Sequence, residues 1–138
     1  MATAAIRKHL PAIALARSDH ERLLNLSDLL AERDPAAADR LAAELDRARV
    51  VADHRLPEGT VRMGSTVSFR MNGEERRVQL VYPGDADIEA GRISVLTPVG
   101  TALIGLKAGQ SIDWVGTDGR AHRIEIIDVA ADSEVTVA

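Results

Sequence analysis

Asp85, Asp87 and Glu89 stand at alternate positions, and carboxylates spaced in this way can converge on a hard cation. A calcium loop would also need a glycine at its sixth position and a glutamate at its twelfth. Counted from Asp85 these are Ala90 and Leu96, so the stretch reads as a solvated loop. The four histidines, His9, His20, His54 and His122, are dispersed, and with no cysteine in the chain they form no metal-ligand pair. His122 is expected to face outward from a last hairpin. No serine sits in a Gly-x-Ser-x-Gly setting, and Gly100, Gly105 and Gly109 lack the Gly-Lys-Ser/Thr that a phosphate loop requires. These glycines read as turn and close-packing positions, and Lys107 as a surface charge. No catalytic residue, metal or cofactor is assigned, and the chain is expected not to be an enzyme.

The 138 residues suffice for one or two small units with a real core. A formal charge of -4 and a pI near 5.5 argue against binding nucleic acid by phosphate neutralisation. Phe69, Tyr82 and Trp114 are the only aromatics, too few for a base-stacking platform. Direct nucleic-acid binding is therefore not expected, and partners should be proteins. Lack of cysteine fits a reducing compartment. No run of about 18 apolar residues suggests a membrane span. A soluble, cytoplasmic monomer is the expectation.

The elements follow from spacing. Residues 1–17 form an N-terminal arm, whose Ile13 and Leu15 suit an extended segment while its alanines equally permit helix. Ser18-Asp19-His20-Glu21 has the form of a capping box, and Leu23, Leu26 and Leu30 then recur at helical steps. Asp34 and Pro35 can cap and open a second helix, in which Leu41, Leu45, Ala48 and Ala52 repeat the spacing and Arg40, Glu44 and Arg47 largely face water. Residues 18–55 are thus predicted to be an antiparallel helical hairpin, with helices of roughly 14 and 17 residues spanning ~20–26 Å. Its tip carries Glu32, Arg33 and Asp34, with Asp39 nearby. Leu56–Gly59 reads as a linker. The period then becomes two, through Val67, Phe69 and Met71, and Asn72-Gly73 supplies a tight turn into Glu75–Val81. A loop over Tyr82–Gly91 leads to a strand at Arg92–Leu96. A last hairpin pairs Ser111–Val115 with Ala121–Val129 through a turn at 116–119, and Asp132–Ala138 is expected to be a loose tail. The sum is an α+β chain with an antiparallel sheet over residues 60–130.

Between two of these strands lies a distinctive segment. Thr97 is placed to cap, Pro98 to open, and Val99, Leu103 and Leu106 to line one short helix, which Gly105 and Gly109 terminate. This order resembles the C-terminal domain of the GreA/GreB transcription elongation factors, in which a strand, a Ser-Pro-hydrophobic-Gly-x-Ala-Leu-hydrophobic-Gly segment and a glycine turn follow one another. Gly64-Ser65-Thr66-Val67 and Val81–Asp87 extend the likeness, and Ser111–Trp114 with the short helical N-terminus resembles the Rnk branch, named for regulation of nucleoside diphosphate kinase.

The resemblance implies an FKBP-like sheet domain after a short coiled coil. It also implies an RNA polymerase-binding regulator of elongation that docks on the core enzyme at the secondary-channel rim through Thr97, Pro98, Val99 and Gly100. Read from its type alone, Val99 equally closes the sheet core. Transcript cleavage in the family needs a long reach and a pair of acidic residues at the tip. Here the helices are short, Arg33 separates Glu32 from Asp34, and cleavage is not expected. The alternatives are a regulator of nucleoside diphosphate kinase or a small peptidyl-prolyl isomerase-like domain. Isomerase pockets are lined by aromatics, which this chain lacks. Self-association through the hairpin is a third reading, with a marginal seam of two to three heptads.

Overall fold

Val67 and Phe69 turn inward and Ser68 and Arg70 outward, which makes Thr66–Met71 (β3) a strand with one face on a core. The computed structural model describes residues 11–115 and 118–130, with the side chains of 114 and 115 left aside. Asn72 (φ 53°) and Gly73 (φ 91°) both take the left-handed backbone that a two-residue hairpin turn demands, and the chain returns as Glu74–Val81 (β4). β3 also pairs antiparallel with Ala121–Ala130 (β7), with a register shift between Ser68 and Phe69. β7 in turn pairs with Ser111–Val115 (β6). On the other side β4 takes Arg92–Ser94 (β5), giving the order β5-β4-β3-β7-β6.

The β4–β5 pair is parallel, so the sheet is mixed and not antiparallel as the sequence suggested. The reason lies in the 82–91 connection. It holds two single-turn helices, at Pro83–Asp85 and Ile88–Ala90, and returns the chain to the start of the sheet edge instead of reversing it. The outer face of the sheet is a ladder of exposed ion pairs, Arg70 with Glu75 and Glu125, and Arg123 with Asp113 and Glu125.

Two helices, Arg17–Leu30 (α1) and Pro35–Arg47 (α2), pack as the expected hairpin, and Asp34 caps α2 by accepting from the Ala37 amide at 3.2 Å. The other helix starts differently from its sequence signature. No side chain of α1's own first turn caps it, and the Ser18 hydroxyl donates to Asp53 Oδ2 at 2.5 Å while the Ser18 amide donates to Oδ1. A carboxylate 35 residues away replaces the capping box.

The second helix also stops early, at Arg47 and not near Ala52. Arg49–Val51 (β2) instead pairs in parallel with Ala14–Ala16 (β1), which settles the arm's last residues as strand. The β-branched Val50-Val51 pair favours that extended path. Arg40, expected in water, reaches across to donate to the Leu96 carbonyl at 3.1 Å, and Glu44 and Arg47 are half-buried in a mutual ion pair. Residues 131–138, the predicted tail, and residues 1–10 of the arm lie outside the described residues.

Leu23, Leu41 and Leu45 of the hairpin are at most 1 % exposed. They join one apolar cluster with Leu15, Phe69, Leu80, Leu103, Ile104 and Ile124. Each such leucine contributes about 2 kcal/mol through burial. Gly105, with φ 82°, lets the chain leave the short helix Pro98–Leu103 (α3) and pass close under the arm, where its carbonyl accepts from the Ala14 amide.

The Ser18 contacts hold the Asp53 carboxyl below its ordinary value of 3.8, the side-chain hydrogen bond first and the amide second. A carboxyl lowered by folding stabilises the native state above its ordinary value and ceases to do so as pH falls through the lowered one. Wild type should therefore exceed Asp53→Ala in thermal stability at pH 7, and the gap should close on acidification below pH ~4. Melting curves of both proteins between pH 2.5 and 7, taken in steps, check the sign; a gap that widens in acid would contradict it.

Candidate functional site

Thr97 organises the turn before α3. Its Oγ1 donates to the Ser94 carbonyl at 2.9 Å and accepts from the Gly100 amide at 3.0 Å, and Pro98 occupies the first helical position. Thr101 adds a buried hydrogen bond to the Val95 carbonyl at 2.6 Å. So fixed, Pro98 and Val99 are half-buried and form one wall of an open groove of about 360 Å³. Phe69 and Met71 of β3, Val78 of β4 and Ile93 of β5 supply its apolar floor. Val99 both touches the core cluster and lines the groove, so its two readings describe two faces of one side chain.

Three of the four residues singled out from the sequence meet here, and the fourth does something else. Gly100 is buried, and a methyl group added to it would lie 2.2 Å from the Ser94 carbonyl oxygen. Its role is to let α3 close on β5.

Polar groups rim the far side. Strand parity places His122 on the same face as Ile124 and Ile126, so it turns toward the groove and not outward as expected, with its side chain 19 % exposed. Counting in twos from the buried isoleucines would have found it. The Arg123 amide donates to Asn72 Oδ1, which turns Asn72 Nδ2 toward His122 Nδ1 at 2.9 Å. That leaves His122 Nε2 facing Asp118 Oδ1 at 3.5 Å. The Arg120 amide, and after it His122, hold the Asp118 carboxyl below its usual range.

The hairpin tip lies elsewhere in the molecule. Glu32, Arg33 and Asp34 are exposed, and Asp34's carboxylate is engaged in capping α2. Among the described residues no three histidine, aspartate or glutamate side chains cluster as a metal would require, and Asp87, from the alternating acidic stretch, pairs loosely with Arg92 at 3.7 Å. No described helix is long and apolar enough to cross a membrane.

The family model described as "Transcription elongation factor, GreA/GreB, C-term" matches residues 56–131, and that of the Rnk N-terminus matches residues 11–51. The chain belongs to the Rnk branch of the GreA/GreB family. The Rnk-type match takes in β1, the two helices and β2, while the GreA/GreB match takes in the sheet, α3 and the groove. Among curated relatives, the "Regulator of nucleoside diphosphate kinase" of Escherichia coli K12 is 38% identical over 130 residues, covering 90% of this chain and 93% of the relative. "Transcription elongation factor GreA" of Beijerinckia indica is 35% identical over 125 residues, covering 86% and 79%. A solved GreA/GreB elongation factor from Nitrosomonas europaea superimposes with a TM-score of 0.69 at 41% identity, covering 86% of this chain and 98% of that one. The relatives so named are regulators and elongation factors, which gives this Rnk-branch chain an elongation-factor-like role.

Proposed function

We propose that this protein binds RNA polymerase at the rim of the secondary channel through the Pro98–Val99 groove and modulates elongation without cleaving the transcript. The observation that carries the docking half is the groove itself. A capped, hydrogen-bonded turn holds two apolar side chains rigidly beside an apolar floor, the preorganised kind of anchor that interfaces use. The Rnk and GreA/GreB relationship supplies the partner.

Hairpin geometry supports the second half. Its helices have 14 and 13 residues, about 20 Å at ~1.5 Å per residue. A tip whose aspartate is spent on capping has no acidic pair to offer a catalytic ion. We read the helices as a short coiled coil and the sheet with α3 as the FKBP-like unit of the family, in a protein that works as a monomer. Isomerase activity is disfavoured because Phe69 is the one aromatic among the described residues lining the groove.

Pull-down with core polymerase and an assay of arrested elongation complexes test the two halves separately. Val99→Ser, which keeps the helix cap, should weaken polymerase binding by at least about tenfold with an unchanged circular dichroism spectrum. Wild-type binding by that variant would displace the contact from the groove. Shortening of the transcript's 3′ end on adding wild-type protein would refute the non-catalytic half. The name of the Escherichia coli relative favours one second reading, action on nucleoside diphosphate kinase. Binding to purified kinase in the absence of polymerase distinguishes it.

A further inference from the structure

A polar cleft of about 580 Å³ opens where α1 meets the sheet, and it shares no lining residue with the groove. Three arginines from three separate segments line it, Arg22 of α1, Arg62 from the approach to β3 and Arg92 of β5. Two carboxylates share the cleft. Asp19 is buried and already engaged by the Arg62 guanidinium, at 3.3 Å to Nε, and by the Met63 amide; Asp85 is exposed. Arg92 donates to the Asp85 carbonyl and leans loosely on Asp87. Arg22 makes no hydrogen bond or ion pair among the described residues. Its guanidinium carbon lies over the Tyr82 ring, 4.4 Å from the centroid, a contact that uses the cation's charge and none of its N–H groups as hydrogen-bond donors.

Beneath it the Tyr82 hydroxyl is fully buried and has no hydrogen-bond partner among the described residues. Burial, and then Asp19, push that phenol above its ordinary value, so it is a hydroxyl donor at neutral pH. Buried donors left unmatched are costly and uncommon in native folds. In a chain of net charge -4, the three guanidiniums outnumber the two carboxylates, Asp19 and Asp85, that line the same cleft.

We propose that this cleft is a binding site for a small phosphate-type oxyanion, with Arg22 as the principal donor and Arg62 and Arg92 flanking. A tetrahedral oxyanion presents more acceptor oxygens than a single carboxylate and can meet several guanidinium forks at once. Arg22 covers the Tyr82 ring, which leaves no aromatic face there for a base to stack on, so recognition rests on the oxyanion. The site uses none of the residues that line the groove and stands whether or not docking does.

Calorimetric titration of the full chain with pyrophosphate, inorganic phosphate and citrate at matched ionic strength tests it. Pyrophosphate should saturate with a dissociation constant below about 1 mM. Arg22→Gln, an exposed change between good helix formers, should weaken this by at least about tenfold while the protein stays folded, with only the small fall in melting temperature that loss of the Tyr82 contact brings. Absence of saturation, wild-type affinity in Arg22→Gln, or citrate bound as tightly as pyrophosphate would each overturn the assignment.

Discussion

Gly100→Ala should lower stability by about 3 kcal/mol, the upper part of the range for forcing an extra methyl into a packed site. The added carbon would sit 2.2 Å from the Ser94 carbonyl oxygen and 3.0 Å from Thr97 Oγ1, so either α3 or the end of β5 has to move. Neither moves freely. The same Ser94 carbonyl accepts from Thr97, Thr101 is pinned to Val95, and the residues after Gly100 are buried to Ile104. For a chain of this size the change corresponds to a fall in melting temperature of roughly 10 °C. Thermal denaturation followed by circular dichroism measures it. Because the displaced turn also carries Pro98 and Val99, polymerase binding should fall together with stability, whereas Val99→Ser, at a half-buried side chain, should lose binding with a smaller loss of stability. A Gly100→Ala protein that melts like wild type would mean that the approach of α3 to β5 is not as close as described.

Asp19→Ala should cost about 2 kcal/mol, at the seam between the hairpin and the sheet. Asp19 is 5 % exposed, accepts from the Met63 amide at 3.3 Å and holds the Arg62 guanidinium. Removing it leaves a buried amide unmatched and a guanidinium without its carboxylate. Arg62's side chain is 36 % exposed and can turn to water, so the loss falls below that of a fully enclosed pair. A double-mutant cycle with Arg62→Ala, read by urea denaturation, isolates the pair. The two single losses should exceed the loss in the double variant, since each single change strands the other group. Strict additivity would show that the two side chains do not communicate.

Where contacts are local, the sequence is readable. Asn72-Gly73 names its own turn, Asp34-Pro35 its helix start, and Thr97-Pro98 the capped entry to α3, because each depends on neighbours within four residues. The errors come from distant partners. Ser18 has the right spacing to cap its helix but meets Asp53 instead. Ala48 and Ala52 continue a helical stripe, yet Arg49–Val51 is drawn out of helix by a strand at 14–16 that the linear pattern leaves undecided. The parallel β4–β5 pair escapes notice because a ten-residue connection has no periodic signal of its own.

The site divides along the same line. Thr97, Pro98 and Val99 announce themselves by order, while the floor from Phe69, Val78 and Ile93 and the rim at His122 exist only once four strands are in register. Arg22, Arg62 and Arg92 show no pattern at all along the chain, since each comes from a different segment.

The short parallel pairing of residues 14–16 with 49–51 grips the helical pair by both of its roots. A hairpin tethered at one end would swing like a whip. Held at both, it is a strut, anchored by a two-stranded ribbon of its own beside the larger sheet.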